Sequence, residues 1–301
     1  MDAQLQALAD SQGKWSQTAD RLKSAVQSTR WATFGFSIAG ALLAAIASQV
    51  DNPLRQELAG ASAVLFAIVS FVSARRLGAD PSMAWVRARA AAEALKREAY
   101  TYAAQAAPYE DDATRGALLR KAVQQIESGV DDLIGEQVQA PAGSTPVENL
   151  PPAVYLEKRV RQQIEKFFEP KAAVYQKLAR NLRRIEFGLA LVTACLTALV
   201  GVSGKHLIAG WNFDFVALTA VLTTVSGTIV SHIEASRYDF IVASYRAAAR
   251  RLRDALANAP EALVAPSPAW SAFVNECETI LSDENSSWVA KLGRQTPPAV
   301  R

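Results

Sequence analysis

The stretch "RNLRRIEFGLALVTACLTALVGVSGK", residues 180–205, changes abruptly from charged to uncharged sequence. Three arginines and a glutamate lie within its first seven residues, whereas the 18 residues from Phe187 to Gly204 carry no charge. As an α-helix, such a run would be about 27 Å long, close to the ~30 Å thickness of a bilayer's hydrocarbon core. A helix on a soluble core would place polar residues regularly along its outer face. This run has only the hydroxyls of Thr193, Thr197 and Ser203, which can bond to their own helix.

The same pattern recurs three times in the chain. Residues 31–50, 58–74 and 215–233 are uncharged runs of 20, 17 and 19 residues. Short loops, 51–57 and 205–214, join the four runs into two pairs. The sequence therefore predicts an all-α integral membrane protein whose four transmembrane helices form two helical hairpins. The alternative is a soluble helical bundle rich in alanine, because the mean hydropathy is only +0.05.

The distribution of charge favours the membrane interpretation. The four segments that flank the hairpins, 14–30, 75–97, 171–186 and 234–254, contain twenty Lys and Arg residues, whereas the two hairpin loops contain two. Basic residues accumulate on the cytoplasmic side of membrane proteins. Both termini and the central segment are therefore predicted to be cytoplasmic.

The two halves of the chain resemble each other. "FGFSIAG" at 34–40 corresponds to "FGLALVT" at 187–193, and "RAAAEALK" at 89–96 corresponds to "RAAARRLR" at 246–253, an offset of 157 residues. Between the halves lies "QAPAGSTPVENLPP", which has the composition of a linker. We therefore predict a first two-span module at 1–138, a linker at 139–152, a second two-span module at 153–292 and a tail at 293–301.

The helices are predicted to extend beyond the spans into long cytosolic helices. No proline interrupts Lys171–Gly204, and Pro170 suits the first turn of that helix. None interrupts Phe215–Ala259, which is predicted to be one continuous helix. A last amphipathic helix is expected over about 269–292.

The segment "WSAFVNECETILSDENSSWVAKL", 270–292, contains a Glu-x-x-x-Trp pair, Glu284 and Trp288. It resembles the C-terminal helix of the SLATT/DUF4231 family. "AWVRARAAAEALKREAYTYAAQAAPY", 84–109, and residues 155–186 resemble the helices that follow and precede the hairpin. The resemblance implies a tandem duplication of a bacterial inner-membrane effector module, thought to form pores beside nucleotide-synthesising or nucleotide-sensing partners in defence against phage. The first half lacks a clear Glu-x-x-x-Trp match after Tyr109.

No catalytic or metal-binding constellation is recognisable in the sequence. There are only two histidines, and "GVSGKH" at 201–206 lacks the first glycine and the Ser/Thr of a phosphate-binding loop. We therefore expect no enzyme activity, no cofactor and no metal. The net charge of +3 is explained by basic residues beside lipid headgroups, so no nucleic-acid partner is expected.

Small hydroxyl residues form two rows on the fourth span. Thr219, Thr223 and Ser226 form one, hereafter the Thr219 row, and Thr224, Thr228 and Ser231 form the Thr224 row. Such rows serve either close helix packing or a water-filled lumen in an oligomer. We take the Thr219 row as the candidate pore lining.

The cytosolic candidates for packing and gating lie near the end of the chain. Glu284 and Trp288 are one turn apart, and Trp288 is expected to pack on the helix after the fourth span. Glu284 is expected near Arg250, Arg251 or Arg253. These arginines could instead contact lipid or bind a nucleotide signal.

Two functions remain open from the sequence. The first is a homo-oligomeric pore gated by its cytosolic helices. The second is a membrane-anchored helical scaffold that recruits a cytosolic partner without conducting. In either case the chain contacts the lipid bilayer.

Overall fold

The computed structural model describes residues 2–77, 79–143, 145–203, 213–260 and 264–293, with side chains throughout except at 79–82, 203 and 284–293. Every regular element among these residues is helical, which confirms the predicted all-α fold. The helices are α1 (Ala3–Gln49), α2 (Leu54–Arg76), α3 (Ala79–Ala103), α4 (Arg115–Ser128), α5 (Pro152–Tyr155), α6 (Glu169–Ser203), α7 (Phe215–Ser236), α8 (Tyr238–Ala257) and α9 (Pro268–Gly293). A 3₁₀ helix covers Asp131–Glu136, and π-helical turns cover Leu156–Arg161 and Gln163–Phe168.

The helix that contains the third span begins earlier than predicted. Pro151 and Pro152 start it, with a proline in the first turn where its missing N–H costs nothing. The chain then stays helical through the two π-helical turns into α6, so Pro170 lies inside the helix and its assignment to the first turn was wrong. The turn Gln163–Phe168 ends just before Pro170, and its altered hydrogen bonding accommodates a residue without an N–H.

The predicted continuous helix Phe215–Ala259 was also wrong. Arg237 has φ 51° and ψ 39°, the left-handed conformation, and it separates α7 from α8. Its N–H is bonded to the carbonyls of Ile233 and Glu234, which closes α7. The predicted last helix is confirmed as α9.

Among the described residues, four helices are long and apolar enough to cross a membrane, as predicted: α1, α2, α6 and α7. The 18-residue apolar stretches of these helices are at most 22% buried within the chain. The Ser62 hydroxyl of α2 donates to the Gly40 carbonyl of α1 at 2.8 Å, and Gly40 leaves room for the ring of Phe66. Small residues thus bring α1 and α2 close together. That each pair forms a membrane hairpin with cytosolic extensions stays a prediction.

The described residues divide into two compact units. Unit 1 comprises those of Met1–Ala25, Ala79–Ala173 and Val242–Arg301, and unit 2 those of Val26–Gly78 and Val174–Ile241. The described residues of all four apolar runs lie in unit 2.

Unit 1 contains two hydrophobic cores. In one, α1, α3 and α4 bury side chains that include Trp15, Leu95 and Leu119. In the other, the π-helical segment, α8, α9 and the end of α3 bury side chains that include Tyr155 and Trp270. Each core therefore uses mainly helices from one half of the chain.

The sequence repeat is visible in the pattern of burial. Ala91, Ala92 and Leu95 of α3 are buried, and so are the residues 157 positions later, Ala248, Ala249 and Leu252 of α8. The repeated "RAAA" segments thus present the same apolar face in both halves.

The proline-rich segment between the two halves packs against α1. The Gly143 N–H donates to the carbonyl of Ala9 at 2.7 Å, and a Cβ at Gly13 would lie 2.2 Å from the carbonyl oxygen of Pro141. Gly13 is therefore required by the close approach of this segment to α1.

Candidate functional site

The predicted pore-lining row lies on a poorly covered part of α7. Thr223 is exposed and Thr219 is half-buried. Their hydroxyls donate to carbonyls of their own helix, Thr219 to Val216 at 2.7 Å and Thr223 to Thr219 at 2.8 Å. With their protons used internally, both oxygens can still accept a hydrogen bond from water.

Ser226, the last member of this row, has a different environment. Its hydroxyl lies 3.3 Å from the carboxylate of Glu186, the residue that precedes the apolar run of α6. Glu186 was not a predicted site residue. The contact places a carboxylate beside the hydroxyl row.

The Thr224 row, in which Thr224 and Ser231 are exposed, borders other helices of the same unit. Thr224, Thr228 and Ser231 line a cavity together with hydroxyl residues of α1 and α2. The two rows of α7 are therefore not equivalent within one chain.

An aromatic cluster closes the end of α7. The His232 ring lies 4.5 Å from the ring of Trp31 and 4.6 Å from that of Phe34, centroid to centroid, and His232 Nε2 lies 3.2 Å from the Tyr238 hydroxyl. Aromatic side chains are typical of the membrane–water interface. The cluster thus marks the same end of α1 and α7 as the basic flanks.

A buried ion pair in unit 1 joins the π-helical segment to α9. Arg159 and Glu278 have 4% and 0% exposed side chains. Arg159 donates from Nε to Glu278 Oε1 at 2.9 Å and from a terminal nitrogen to Oε2 at 2.7 Å, and the Tyr155 hydroxyl donates to Oε1 at 2.9 Å. The guanidinium also lies 4.2 Å from the centre of the Tyr100 ring. This bidentate geometry satisfies the buried charges.

The electrostatics of the pair follow from its burial. Desolvation alone would lower the pKa of Arg159, but the charge of Glu278 outweighs it and raises the pKa. Nearby on α3, burial opposes ionisation of Glu93, yet the charges of Arg89, Lys96 and Arg159 lower its pKa. Burial lowers the pKa of Lys96. The charges of Glu93 and Lys96 therefore interact with the ion pair.

The sequence analysis missed this pair although the sequence contains a signal for it. Glu278 lies four residues after Val274 and three before Leu281, on the apolar face of α9. A lone carboxylate on an apolar face requires a buried cation, since an unpaired buried charge is strongly disfavoured.

The predicted cytosolic residues have diverse environments. The side chains of Glu284 and Trp288 lie outside the described residues. Arg250 is exposed, Arg251 forms a 2.9 Å ion pair with Asp283, and Arg253 forms an ion pair with Glu169. Thus two of the three guanidinium groups are bound to carboxylates of other helices rather than directed at one point.

Two family models match the chain. Residues 13–117 match the model described as "Protein of unknown function (DUF4231)", and residues 155–288 match the "SMODS and SLOG-associating 2TM effector domain 1". The chain belongs to the SLATT/DUF4231 family. The predicted resemblance is confirmed, with two modules in tandem. No curated protein and no solved structure matches the chain.

Family membership agrees with the apolar helices. A SLATT module is a two-transmembrane effector module of conflict systems, and this SLATT/DUF4231 chain has four helices long enough to span a membrane. The chain is therefore a membrane effector whose helices contact the lipid bilayer.

Proposed function

We propose that the chain is a bacterial inner-membrane effector that oligomerises and opens a pore, with both termini in the cytoplasm. The pore acts by conducting rather than by catalysis, and requires no cofactor, metal or nucleic acid. The supporting family description is that of a two-transmembrane effector that associates with SMODS and SLOG proteins.

The observation that carries the proposal is the partly exposed Thr219 row of α7. Thr223 is exposed on a helix whose apolar stretch is little buried, and its oxygen can accept hydrogen bonds from water. Neighbouring copies that bring their Thr219 rows together would enclose a wettable surface, and apolar residues would face lipid. Pore conduction requires such a lining.

The exposure of the spans supports assembly of several copies. The apolar stretches of α2 and α6 are 6% and 0% buried within one chain. Such surfaces are covered either by lipid or by other copies, and helices in membranes associate through small residues of the kind found here. We therefore include a homo-oligomer in the proposal.

The trigger is proposed to reach the pore through a protein that makes or senses a nucleotide. Arg251 and Arg253 are engaged with Asp283 and Glu169, so the arginines of α8 do not form a ready phosphate clamp. Isothermal titration of the purified chain with cyclic di- and trinucleotides should give no heat. Measurable binding that is lost in Arg250→Gln would make the chain itself the nucleotide sensor.

Ion flux from liposomes that contain the purified chain tests the proposal. Wild-type protein, at high density or with its trigger, should release a trapped ion-sensitive dye. Thr223→Leu should abolish release, because it replaces a wettable surface by an apolar one that favours dewetting. Insertion should be unaffected, since leucine is favourable within a span.

The matched control is Thr197→Leu on α6. Thr197 is also exposed, and its hydroxyl also donates to a carbonyl four residues earlier, at 2.8 Å. This variant should conduct like the wild type. Equal flux in wild type and Thr223→Leu would remove the Thr219 row as the lining. Tight liposomes under every condition would favour the alternative, a non-conducting scaffold that recruits a cytosolic partner.

A further inference from the structure

Unit 2 contains a cavity of about 410 Å³ between α1, α2 and α7. Its volume lies within the range of ordinary ligand pockets. Its polar lining consists mainly of six hydroxyl residues: Thr33, Ser37, Ser73, Thr224, Thr228 and Ser231. Arg30 supplies the cation, and Phe34, Val69 and Leu77 supply apolar surface.

The cavity extends from the charged flank of the first apolar run along the apolar part of α7. Arg30 immediately precedes the first apolar run, and Leu77 follows the last residue of α2. On α7 the lining extends from Ala235 back to Thr224, eleven residues or about 16 Å along the helix. If the apolar runs span the bilayer, the charged end lies at headgroup depth and the inner part at the depth of the upper acyl chains.

The charge at the outer end is positive and incompletely hydrated. Arg30 is half-buried, and the nearby charge of Arg237 interacts unfavourably with it. Among the described residues that line the cavity, none is Asp or Glu. An anion at this point would relieve the repulsion between the two guanidinium groups.

The same cavity is lined by hydroxyl groups. Thr33, Thr224 and Thr228 donate to carbonyls of their own helices. The hydroxyls of Ser37, Ser73 and Ser231 form no hydrogen bond with any described residue, so they can donate to a ligand. A cation, free hydroxyl donors and an apolar inner wall match an amphiphile with a phosphate headgroup.

We propose that this cavity binds the phosphate headgroup of an anionic membrane lipid, with Arg30 as the charged contact. The bilayer supplies such lipids at high local concentration, and basic pockets between transmembrane helices are known to select them. A soluble phosphate would make the same polar contacts as a lipid headgroup. The apolar inner wall of the cavity favours the lipid, because an acyl chain can pack against it. The proposal does not depend on whether the chain conducts ions.

Native mass spectrometry tests the proposal on the full chain released from nanodiscs of phosphatidylglycerol and phosphatidylcholine in equal amounts. Wild-type protein should retain phosphatidylglycerol preferentially. Arg30→Gln should lower that preference at least about tenfold, since it removes a charge-assisted hydrogen bond. The matched control is Arg76→Gln, which removes an exposed arginine at the end of α2 that does not line the cavity. It should retain the wild-type preference.

A second pair of variants keeps the test valid if Arg30→Gln does not fold. Thr228→Leu fills the cavity without changing charge and should also lose the preference. Thr223→Leu makes the same replacement on α7 outside the cavity and should keep it.

Three results would overturn the proposal. The first is equal loss in Arg30→Gln and Arg76→Gln, which would indicate unspecific attraction to the membrane surface. The second is retention of the preference in Thr228→Leu. The third is displacement of the lipid by millimolar inorganic phosphate or glycerol phosphate, which would identify a soluble anion as the ligand.

Discussion

The Arg159–Glu278 pair shows how one residue contact can fix the arrangement of helices in unit 1. Burying both charges costs several kcal/mol per ion before their attraction is counted. The pair therefore contributes mainly to the specificity of packing. Its two hydrogen bonds between guanidinium and carboxylate form only at one register of α9 against the π-helical segment. A small shift of α9 would leave Glu278 buried without a partner.

Removing one member of the pair should be costly. Glu278→Gln leaves Arg159 buried without its counter-charge, so we expect a loss of about 3–5 kcal/mol in the free energy of unfolding. The double variant Arg159→Met, Glu278→Met removes both charges and should lie much closer to the wild type. Urea unfolding followed by tryptophan fluorescence would measure all three proteins. Equal losses in the single and double variants would argue against an ion-pair effect.

Cys277, next to Glu278, should be inert in the folded protein. Its side chain is 0% exposed, and burial raises the pKa of its thiol to about 12. Only thiolates react readily with maleimide or iodoacetamide. At pH 8–9 the folded chain should therefore be labelled at this position only after denaturation, as read by peptide mass spectrometry. Rapid labelling without denaturant would show that α9 opens readily.

At the scale of elements, the break at Arg237 separates the apolar helix α7 from the charged helix α8. Arg237 has the left-handed conformation, which costs a residue with a Cβ roughly 1–2 kcal/mol. The structure offers a reason for tolerating it, because the Arg237 N–H closes α7 through bonds to Ile233 and Glu234. The position is therefore a defined joint rather than a frayed end.

Two substitutions at Arg237 distinguish a joint from a continuous helix. Asn tolerates the left-handed conformation, whereas the β-branched Val does not. Both remove the guanidinium group, and both have similar helix propensity. Arg237→Asn should therefore be about 1 kcal/mol more stable than Arg237→Val in thermal unfolding. Equal stability of the two would indicate that α7 and α8 are continuous.

These elements also show what the sequence could and could not predict. The spans were predictable because length and absence of charge define them, and α9 because its apolar residues recur at helical spacing. No glycine or proline near Arg237 predicts the break between α7 and α8. The helix start at Pro152 was assigned instead to Pro170, because π-helical turns have no simple sequence signal. Glu278 was missed as a partner because a pairing across 119 residues depends on the tertiary fold.

At the scale of the whole molecule, the two family modules share part of a core. The Trp270 indole N–H of α9 donates to the Ala104 carbonyl at 2.8 Å, and the Asn275 side chain donates to the Ala107 carbonyl at 3.1 Å. Thus α9, the last helix of the second module, binds the carbonyl groups that follow α3 of the first module. A chain with two interlocked modules supplies four spans as one unit, so an assembly of such chains contains an even number of modules.

The orientation of the spans is constrained by one contact in unit 2. Gln49, at the end of α1, donates to the Asp214 carbonyl at 3.1 Å and accepts from the Asp214 N–H at 2.8 Å. Asp214 also caps α7 by accepting from Val216 and Ala217. The end of the first span and the start of the fourth therefore lie at the same face, as two hairpins with a common orientation require.

The predicted topology can be tested with reporter fusions. Fusions after Asn52 and Asn212 should be periplasmic, and fusions after Ala142 and Arg301 should be cytoplasmic, because twenty basic residues flank the hairpins and only two lie in their loops. Paired alkaline phosphatase and fluorescent protein reporters, active on opposite sides of the membrane, would read each site. Three additional lysines in the exposed loop 51–57 should shift part of the Asn52 fusions to the cytoplasm, whereas three serines should not. A cytoplasmic Asn52 in the unmodified chain would contradict the two-hairpin arrangement, and with it the placement of unit 1 in the cytosol.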